Sequence, residues 1–236
     1  MSAATTTHST LPVGRGCVLD SRRALWHAAG SWLAMSDLHH GIELNRVRRL
    51  GHVPDHWRMP ATEQRVLDLI ECYAPQTLIL NGDIMDGGGS MRATKDMIQR
   101  LRERVQELIL VEGNHDRAAL RREEGYVTHH RAGEFLFHHG HKWSRTWRDI
   151  GEADASEVHL CGHEHPAVQI NDRKGVRLML PALVQEAICM PSAVEHWILP
   201  AFSPWAGGAR YDSPNERLGI WACGESWVVP LHAVGM

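Results

Sequence analysis

No stretch of this 236-residue sequence approaches the roughly 18 consecutive apolar residues that a membrane-spanning helix needs, so no span and no membrane partner are expected. There is no CxxC pair either. The five cysteines, Cys17, Cys72, Cys161, Cys189 and Cys223, are scattered and odd in number. That pattern speaks against a disulfide framework and reads as reduced thiols in a cytoplasmic protein. A strong charge of one sign is also missing. The net charge is −3 with histidine neutral, so no global basic field advertises nucleic acid. The first ten residues, MSAATTTHST, have neither a basic start nor an apolar stretch, and a signal peptide is not expected. No internal repeat and no linker divides the chain. A single domain is expected over residues 16–236, after a Ser/Thr/Ala-rich disordered segment at 1–15.

Hydrophobic content of 43% and charged content of 22% suit a soluble globular protein with a sizeable core. Seventeen histidines and nine tryptophans are the unusual features, and the histidines raise the question of metal. In the first half, apolar spacing predicts strand-like structure in Ala24–Ser36, a loop over Gly41–Pro60 and a helix starting at Thr62. A strand follows at Thr77–Leu80, then a helix over Met91–Leu108 and a strand over Leu108–Val111. The second half predicts strands at Glu134–His139, Glu157–Cys161, Val176–Leu180, Trp197–Leu199 and Trp227–Val229, punctuated by Gly and Pro. An α/β first half with a β-rich second half favours one mixed-sheet domain.

Five short motifs fall at the ends of these strands. They are Asp37-Leu38-His39, Gly82-Asp83-Ile84-Met85-Asp86, Gly113-Asn114-His115-Asp116, His139-Gly140-His141 and Gly162-His163-Glu164-His165. Each alone is weak, because such residues are common in turns for local reasons. Together they bring carboxylates, an amide oxygen and imidazoles to strand ends, where a rigid sheet delivers functional side chains. Positions i and i+2 of an extended chain point the same way, so Asp37 with His39, and His163 with His165, can face one ion. Oxygen and nitrogen donors without thiolate suit Mn²⁺, Fe or Zn²⁺. Seven ligands exceed one tetrahedral site. They fit two ions roughly 3.5–4 Å apart, bridged by one carboxylate.

The ordered set D-x-H, GDxxD, GNHD, HG, GHxH resembles the calcineurin-like metallophosphoesterase superfamily, over roughly residues 33–166. The resemblance implies an α/β fold, a four-layer αββα sandwich of two mixed β-sheets flanked by helices. It implies two divalent ions, Mn²⁺ favoured, with Fe, Zn or Ni as alternatives. Asp37, His39 and His165 would hold one ion, and Asn114, His139 and His163 the other, with Asp83 bridging. His115 would approach the scissile phosphate, and Asp86 would orient it. A narrower likeness lies in "SDLHHG", "GHEHPAV" and "LPAFSPWAGG", which resemble the ligase-associated DNA damage response endonuclease (PdeM-type) family. That implies a phosphodiesterase acting on DNA ends or single strands, associated with a ligase, helicase or exonuclease repair set. His40 stands where that family has an apolar residue, and Asp86 where it often has histidine. The rival readings are a small-nucleotide or sugar-nucleotide pyrophosphatase and, from another class, a non-catalytic scaffold subunit.

His139 rather than His138 is the expected ligand, because it precedes the glycine. His138 should point to the opposite face and be packed. His141 is either beside the ligands or exposed. Arg46, Arg48 and Arg49 closely follow the first motif and, with His40, are candidates for holding substrate phosphates. A solvated loop is the plain alternative. Asp116 reads as a structural partner of its turn. Trp143, Trp147 and Trp205 either border a substrate groove or pack.

Overall fold

The computed structural model describes residues 7–43, 62–142, 156–171, 175, 177–190 and 192–231. Arg46, Arg48, Arg49, Trp143 and Trp147 lie outside them. The chain opens with a four-strand meander: β1 (Thr10–Gly14), β2 (Cys17–Asp20), β3 (Ala24–His27) and β4 (Trp32–Met35). Strand β1 corrects the expectation of a disordered segment through residue 15. The Ser/Thr/Ala bias ends at Thr10, and Leu11 and Val13 then alternate with Pro12 and Gly14, which lets Val13 enter the core against β2. The strand-like Ala24–Ser36 segment forms two strands, β3 and β4. A turn at residues 28–31, with Ser31 at φ 48°, reverses the chain between them.

From β4 onward the sheet becomes parallel. Helix α1 (Thr62–Tyr73) leads to β5 (Thr77–Asn81), and α2 (Met91–Arg102) leads to β6 (Glu107–Val111). The order is β1-β2-β3-β4-β5-β6. Helix α2 stops at Arg102, well short of Leu108. The Glu103 N–H closes on the Gln99 and Leu101 carbonyls, and the chain must then turn to set Glu107 beside Thr77. Helix α3 (Ala118–Glu124) ends at Gly125, which takes the left-handed cap conformation at φ 72°.

The second sheet comprises β7 (His129–Ala132), β8 (Phe135–His138), β9 (Val158–Cys161), β10 (Pro166–Asn171), β11 (Arg177–Met190), β12 (Ser192–Ile198), β13 (Ala209–Arg210), β14 (Glu216–Cys223) and β15 (Val228–Pro230). Its main path runs β13-β10-β11-β12-β9-β8-β7, with β14 pairing β11 and β15. Strand β11 runs far beyond Leu180, because Gln185 and Glu186, which end the apolar run in sequence, still pair with β12 and β14.

Two cores hold the layers. Between the sheets lie Trp32, Ile79, Phe135, Phe137, Leu160 and Trp197. Between the first sheet and the helices lie Leu33, Leu78, Leu80, Val66, Met97 and Leu120. Each such side chain contributes roughly 1.5–3 kcal/mol by leaving water. All three described helices pack on the first sheet. On the outer face of the second, Tyr211 and Ile220 cover Cys161, Val184 and Ile198. No helix among the described residues is long and apolar enough to cross a membrane.

This topology positions the motifs. Strands β4, β5 and β6 are parallel, so Asp37, Asp83 and Asn114 leave the first sheet at one edge. Strands β8 and β9 are parallel as well, and they deliver His139 and His163 from the second sheet.

Candidate metal centre

The five motifs converge on one cluster. Ligand atoms of Asp37, His39, Asp83 and His165 lie within 4.8 Å of one another, and so do those of Asp83, His139 and His163. Asp83 belongs to both groups. The Asn114 Oδ1 lies 3.3 Å from His139 Nε2, which brings the amide to the second group. His139 Nε2 is also 3.3 Å from Asp83 Oδ2, and His165 Nε2 is 2.9 Å from Asp37 Oδ1. A third group, His39, Asp86 and His115, sits alongside.

The backbone is strained where these side chains leave it. Nine non-glycine residues among those described have positive φ, and five of them are Asp37, His39, Asp83, His163 and His165. Such conformations cost on the order of 1–3 kcal/mol each and persist where surrounding structure over-determines them. The motif glycines show what the space is for. A Cβ on Gly113 would collide with Asp83, and one on Gly162 would collide with Ser36 and the Asp37 carboxylate. Each glycine is the gap that admits a ligand from another strand.

The charge balance fits metal. Asp37 and Asp83 are 0% and 1% exposed. Among the described residues no lysine or arginine forms an ion pair with either. Two buried carboxylates demand positive charge nearby. Imidazoles supply it here. Burial opposes protonation of His139, but its hydrogen bond to Asp83 and the charges of Asp37 and Asp83 raise its pKa to about 9. His165 is likewise raised, burial being outweighed by its bond to Asp37. Burial alone would raise both carboxyls, yet His165 holds Asp37 below the usual range and His139 holds Asp83 well below it. Burial lowers His39 and His163, so they are neutral donors. Two carboxylates, neutral imidazoles and imidazoliums that can shed a proton form a donor set matched to divalent cations.

Backbone carbonyls orient the rings. His139 Nδ1 donates to the Asn81 carbonyl at 3.1 Å, and His165 Nδ1 donates to the Gly207 carbonyl at 3.1 Å. Both leave Nε2 facing the cluster. His163 donates its own N–H to Asp37 at 3.2 Å.

At the rim, the His115 N–H donates to Asp83 Oδ1 at 2.8 Å, while its side chain is 46% exposed. Asp86 Oδ1 lies 3.9 Å from His39 Nδ1. His40 stands apart from the ligand groups: its Nδ1 meets Thr94 Oγ1 at 2.9 Å. His141 packs beside His139 and His163, with ring centroids 5.2 and 6.2 Å away. Asp116 is buried and ties two loops, accepting from Met85 N and Gly113 N at 2.9 Å each. The residues that sequence reading missed are Asn81, Gly207 and the arginines that hold the segment before Gly207. A cleft of about 710 Å³ lies elsewhere, lined by Gln169, Arg210 and Trp221 among others. It contains none of the cluster, so converging donors mark the centre and cavity size does not.

The "Calcineurin-like phosphoesterase superfamily domain" matches residues 32–187. No curated protein matches the chain. Among solved structures, the Pseudomonas putida nuclease MPE superposes with a TM-score of 0.63 at 22% identity, covering 94% of this chain and 100% of that one. That likeness is one of fold. Yfce, a phosphoesterase from E. coli, gives 0.45 at 16% identity over 84% of this chain and 96% of its own. Chaetomium thermophilum Vps29 gives 0.39 at 13% identity over 85% and 96%. The family match spans more than half of the sequence and encloses all five motifs, so the chain belongs to the calcineurin-like phosphoesterase superfamily and is a metal-dependent phosphoester hydrolase.

Proposed function

We propose that the protein is a dinuclear phosphodiesterase whose substrate is DNA, at ends or in single strands. The observation that carries the dinuclear reading is that Asp83 is common to both ligand groups. Asp37, His39 and His165 would hold one divalent ion, Asn114, His139 and His163 the other, and Asp83 would bridge them. Mn²⁺ is the favoured metal. Bound cations supply Lewis acidity, which makes water a nucleophile near neutral pH and offsets charge on phosphate oxygens.

The chain's own groups do the rest. Buried, strained ligands fix where the phosphate sits. His115, anchored through its N–H on Asp83 and exposed at the rim, donates a proton to the departing sugar oxygen, a contribution of about 10²–10⁴ in rate. Asp86, grouped with His115 and His39, holds the imidazole in its working orientation. No protein side chain needs to carry the phosphoryl group.

A polymeric DNA substrate is supported by the sequence likeness in "SDLHHG", "GHEHPAV" and "LPAFSPWAGG" to the ligase-associated endonuclease family. The same likeness makes a ligase, helicase or exonuclease repair set the expected company, and the scattered cysteines make the cytoplasm the expected place. Cys17, Cys72, Cys161 and Cys223 are free thiols, which suits a reducing compartment. Strain concentrated on ligands speaks against a scaffold, because a binding surface gains nothing from it. The test is hydrolysis with Mn²⁺ of a bis-aryl phosphate, an aryl monoester and a labelled single-stranded oligonucleotide. Turnover of the diester and the oligonucleotide supports the reading. Turnover of small pyrophosphates in place of the oligonucleotide would replace it with a nucleotide pyrophosphatase.

A further inference from the structure

The segment "LPAFSPWAGG" lies beyond the five motifs, yet it touches two of their ligands. Its first half is clamped from both sides. On one side its amides meet the first sheet: Phe202 N donates to the Ser36 carbonyl at 2.8 Å and Ser203 N to the Asp37 carbonyl at 3.1 Å. On the other, two guanidiniums take its carbonyls. Arg23 Nη1 donates to Ala201 O at 3.2 Å and Ser203 O at 3.0 Å. Arg65 Nη1 donates to Phe202 O at 3.0 Å, its Nη2 to Arg22 O at 3.0 Å, and its guanidinium lies 4.6 Å from the Phe202 ring centroid.

The second half carries this order to the metal centre. Ser203 closes a turn, accepting from Trp205 N at its Oγ and from Ala206 N at its carbonyl. The next residue, Gly207, offers the carbonyl that receives His165 Nδ1. Gly208 follows so close to Ala167 that a Cβ would come within 2.7 Å of the alanine methyl, and Ala209 then pairs beside Pro166. The segment is therefore a strap. It starts on the backbone of Asp37 and ends on the imidazole of His165, and those two side chains meet at 2.9 Å.

Both arginines are partly buried, and burial lowers their pKa values, that of Arg65 to about 10. Their hydrogen bonds among the described residues go to main-chain carbonyls. Partly buried cations spent on carbonyls have a positional use: they fix where the strap runs.

We propose that Arg23 and Arg65 are positioning residues for the ion held by Asp37, His39 and His165, acting through the Ala201–Gly207 strap on the orientation of His165. This rests on the dinuclear reading above. A carbonyl that moves away from His165 Nδ1 frees the ring to rotate, and Nε2 then loses its aim. The group of Asp83, His139 and His163 is oriented instead by Asn81 and is independent of the strap.

The test is calorimetric titration of Mn²⁺ into metal-free protein, wild type against Arg65→Ala and Arg23→Ala, with thermal denaturation alongside. We expect two ions in the wild type. In each variant one ion should bind about 10–100-fold more weakly and the other unchanged, the range typical of groups that orient ligands. Arg65→Lys and Arg23→Lys should fall between, since an ammonium keeps a charged donor but cannot reproduce the planar, two-nitrogen reach that Arg65 uses to join Phe202 and Arg22. If an alanine variant does not fold, the lysine variants decide. Variants that lose thermal stability while binding both ions as the wild type does would overturn the strap alone, as would equal weakening of both ions. A wild type that binds fewer than two ions would overturn the dinuclear reading and the strap with it.

Discussion

His138 and His139 are neighbours in sequence that belong to different buried clusters. His139 faces the carboxylates of Asp37 and Asp83. His138 packs against His159 and His196, with ring centroids 5.6 and 6.4 Å away. The second cluster continues to Glu186, which accepts from His196 Nδ1 at 3.1 Å, Tyr211 OH at 2.9 Å and Asn215 Nδ2 at 3.0 Å. Both clusters are rich in histidine and both are buried. They differ in charge and in backbone. The first gathers two carboxylates on left-handed residues and compensates them only with imidazoles. The second satisfies one carboxylate with several donors, and its histidines and Glu186 sit in regular β8, β9, β11 and β12 with no positive φ. Histidine density therefore says little. Paired carboxylates on strained backbone, balanced only by imidazoles that can give up their protons, distinguish a centre built for cations from a packed polar core.

The sharpest way to break this comparison is to neutralise one carboxylate in each cluster. On the dinuclear reading we expect Asp83→Asn to lose both ions and about three orders of magnitude in turnover, near 4 kcal/mol of barrier, because Asp83 is common to both ligand groups. Glu186→Gln should keep both ions. Metal analysis with bis-aryl phosphate turnover reads both, and an Asp83→Asn protein that retains its ions would collapse the distinction.

The adjacent histidines give the next contrast. His139→Ala should lose an ion and at least about 10²-fold in activity, since even an outer partner that orients a ligand costs about 10–100-fold. His138→Ala should keep both ions and lose about 2–4 kcal/mol of stability, the cost of a cavity in a packed region. Metal content and denaturant unfolding separate the two. If His138→Ala also sheds metal, the clusters are not independent.

His115→Asn tests the rim. Both ions should remain, with a loss of about 10²–10⁴ on DNA and little change on a nitrophenyl ester, whose leaving group needs no proton. Equal losses on the two substrates would make His115 an electrostatic clamp.

The smallest effect is in acid. Burial works against ionised Glu186, but its hydrogen bonds from His196, Ser213, Tyr211 and Asn215 hold its pKa at about 2, against an ordinary 4.5. Its ionised form therefore adds stability above pH 4.5 that is lost as pH falls toward 2. Burial, and next the charge of His196, push His159 down to about 4 from 6.5. The unfolded chain takes that proton first, so stability also falls between pH 6.5 and 4. Urea midpoints against pH should show both windows in the wild type and a shallower lower window in Glu186→Gln, what remains there belonging to the depressed carboxyls of Asp37 and Asp83. An unchanged lower window in that variant would remove Glu186 as the cause.

The convergence of the cluster was legible because its parts are motif-bound. A parallel strand end must present its next few residues to the shared rim, so Asp37, Asp83, Asn114, His139 and His163 announced themselves by position. The supports of those ligands were not. The Asn81 and Gly207 carbonyls belong to the main chain, which is the same at every residue, and nothing in sequence distinguishes Arg23 or Arg65 from a solvated arginine. Among the strands, β5 and β6 stood out as compact apolar runs. Strand β7, His-His-Arg-Ala, has almost no apolar content and forms because β8 offers it a ladder. Strand β14 carries Gly219 in its interior, which hid it, and the Trp221 ring lies where a Cβ on Gly219 would be. The long helix expected over Met91–Leu108 merged α2 with β6, since Val105 and Leu108 continue the helical spacing by coincidence.

The missing Cβ of Gly162, at the end of β9 in the second sheet, is the space into which Ser36 and Asp37 of the first sheet project. During synthesis Asp37 emerges long before its counterpart. The cluster cannot close until residue 165 has been made, the strap has returned past residue 207 and the two sheets have docked. Neither sheet alone carries all of Asp37, His39, Asp83 and His165, or all of Asp83, His139 and His163. Cation binding to the cluster is therefore expected to follow docking of the two sheets. A divalent cation that bound only the docked form would also resist separation of the sheets, and would act as a fastener between the two halves of the protein.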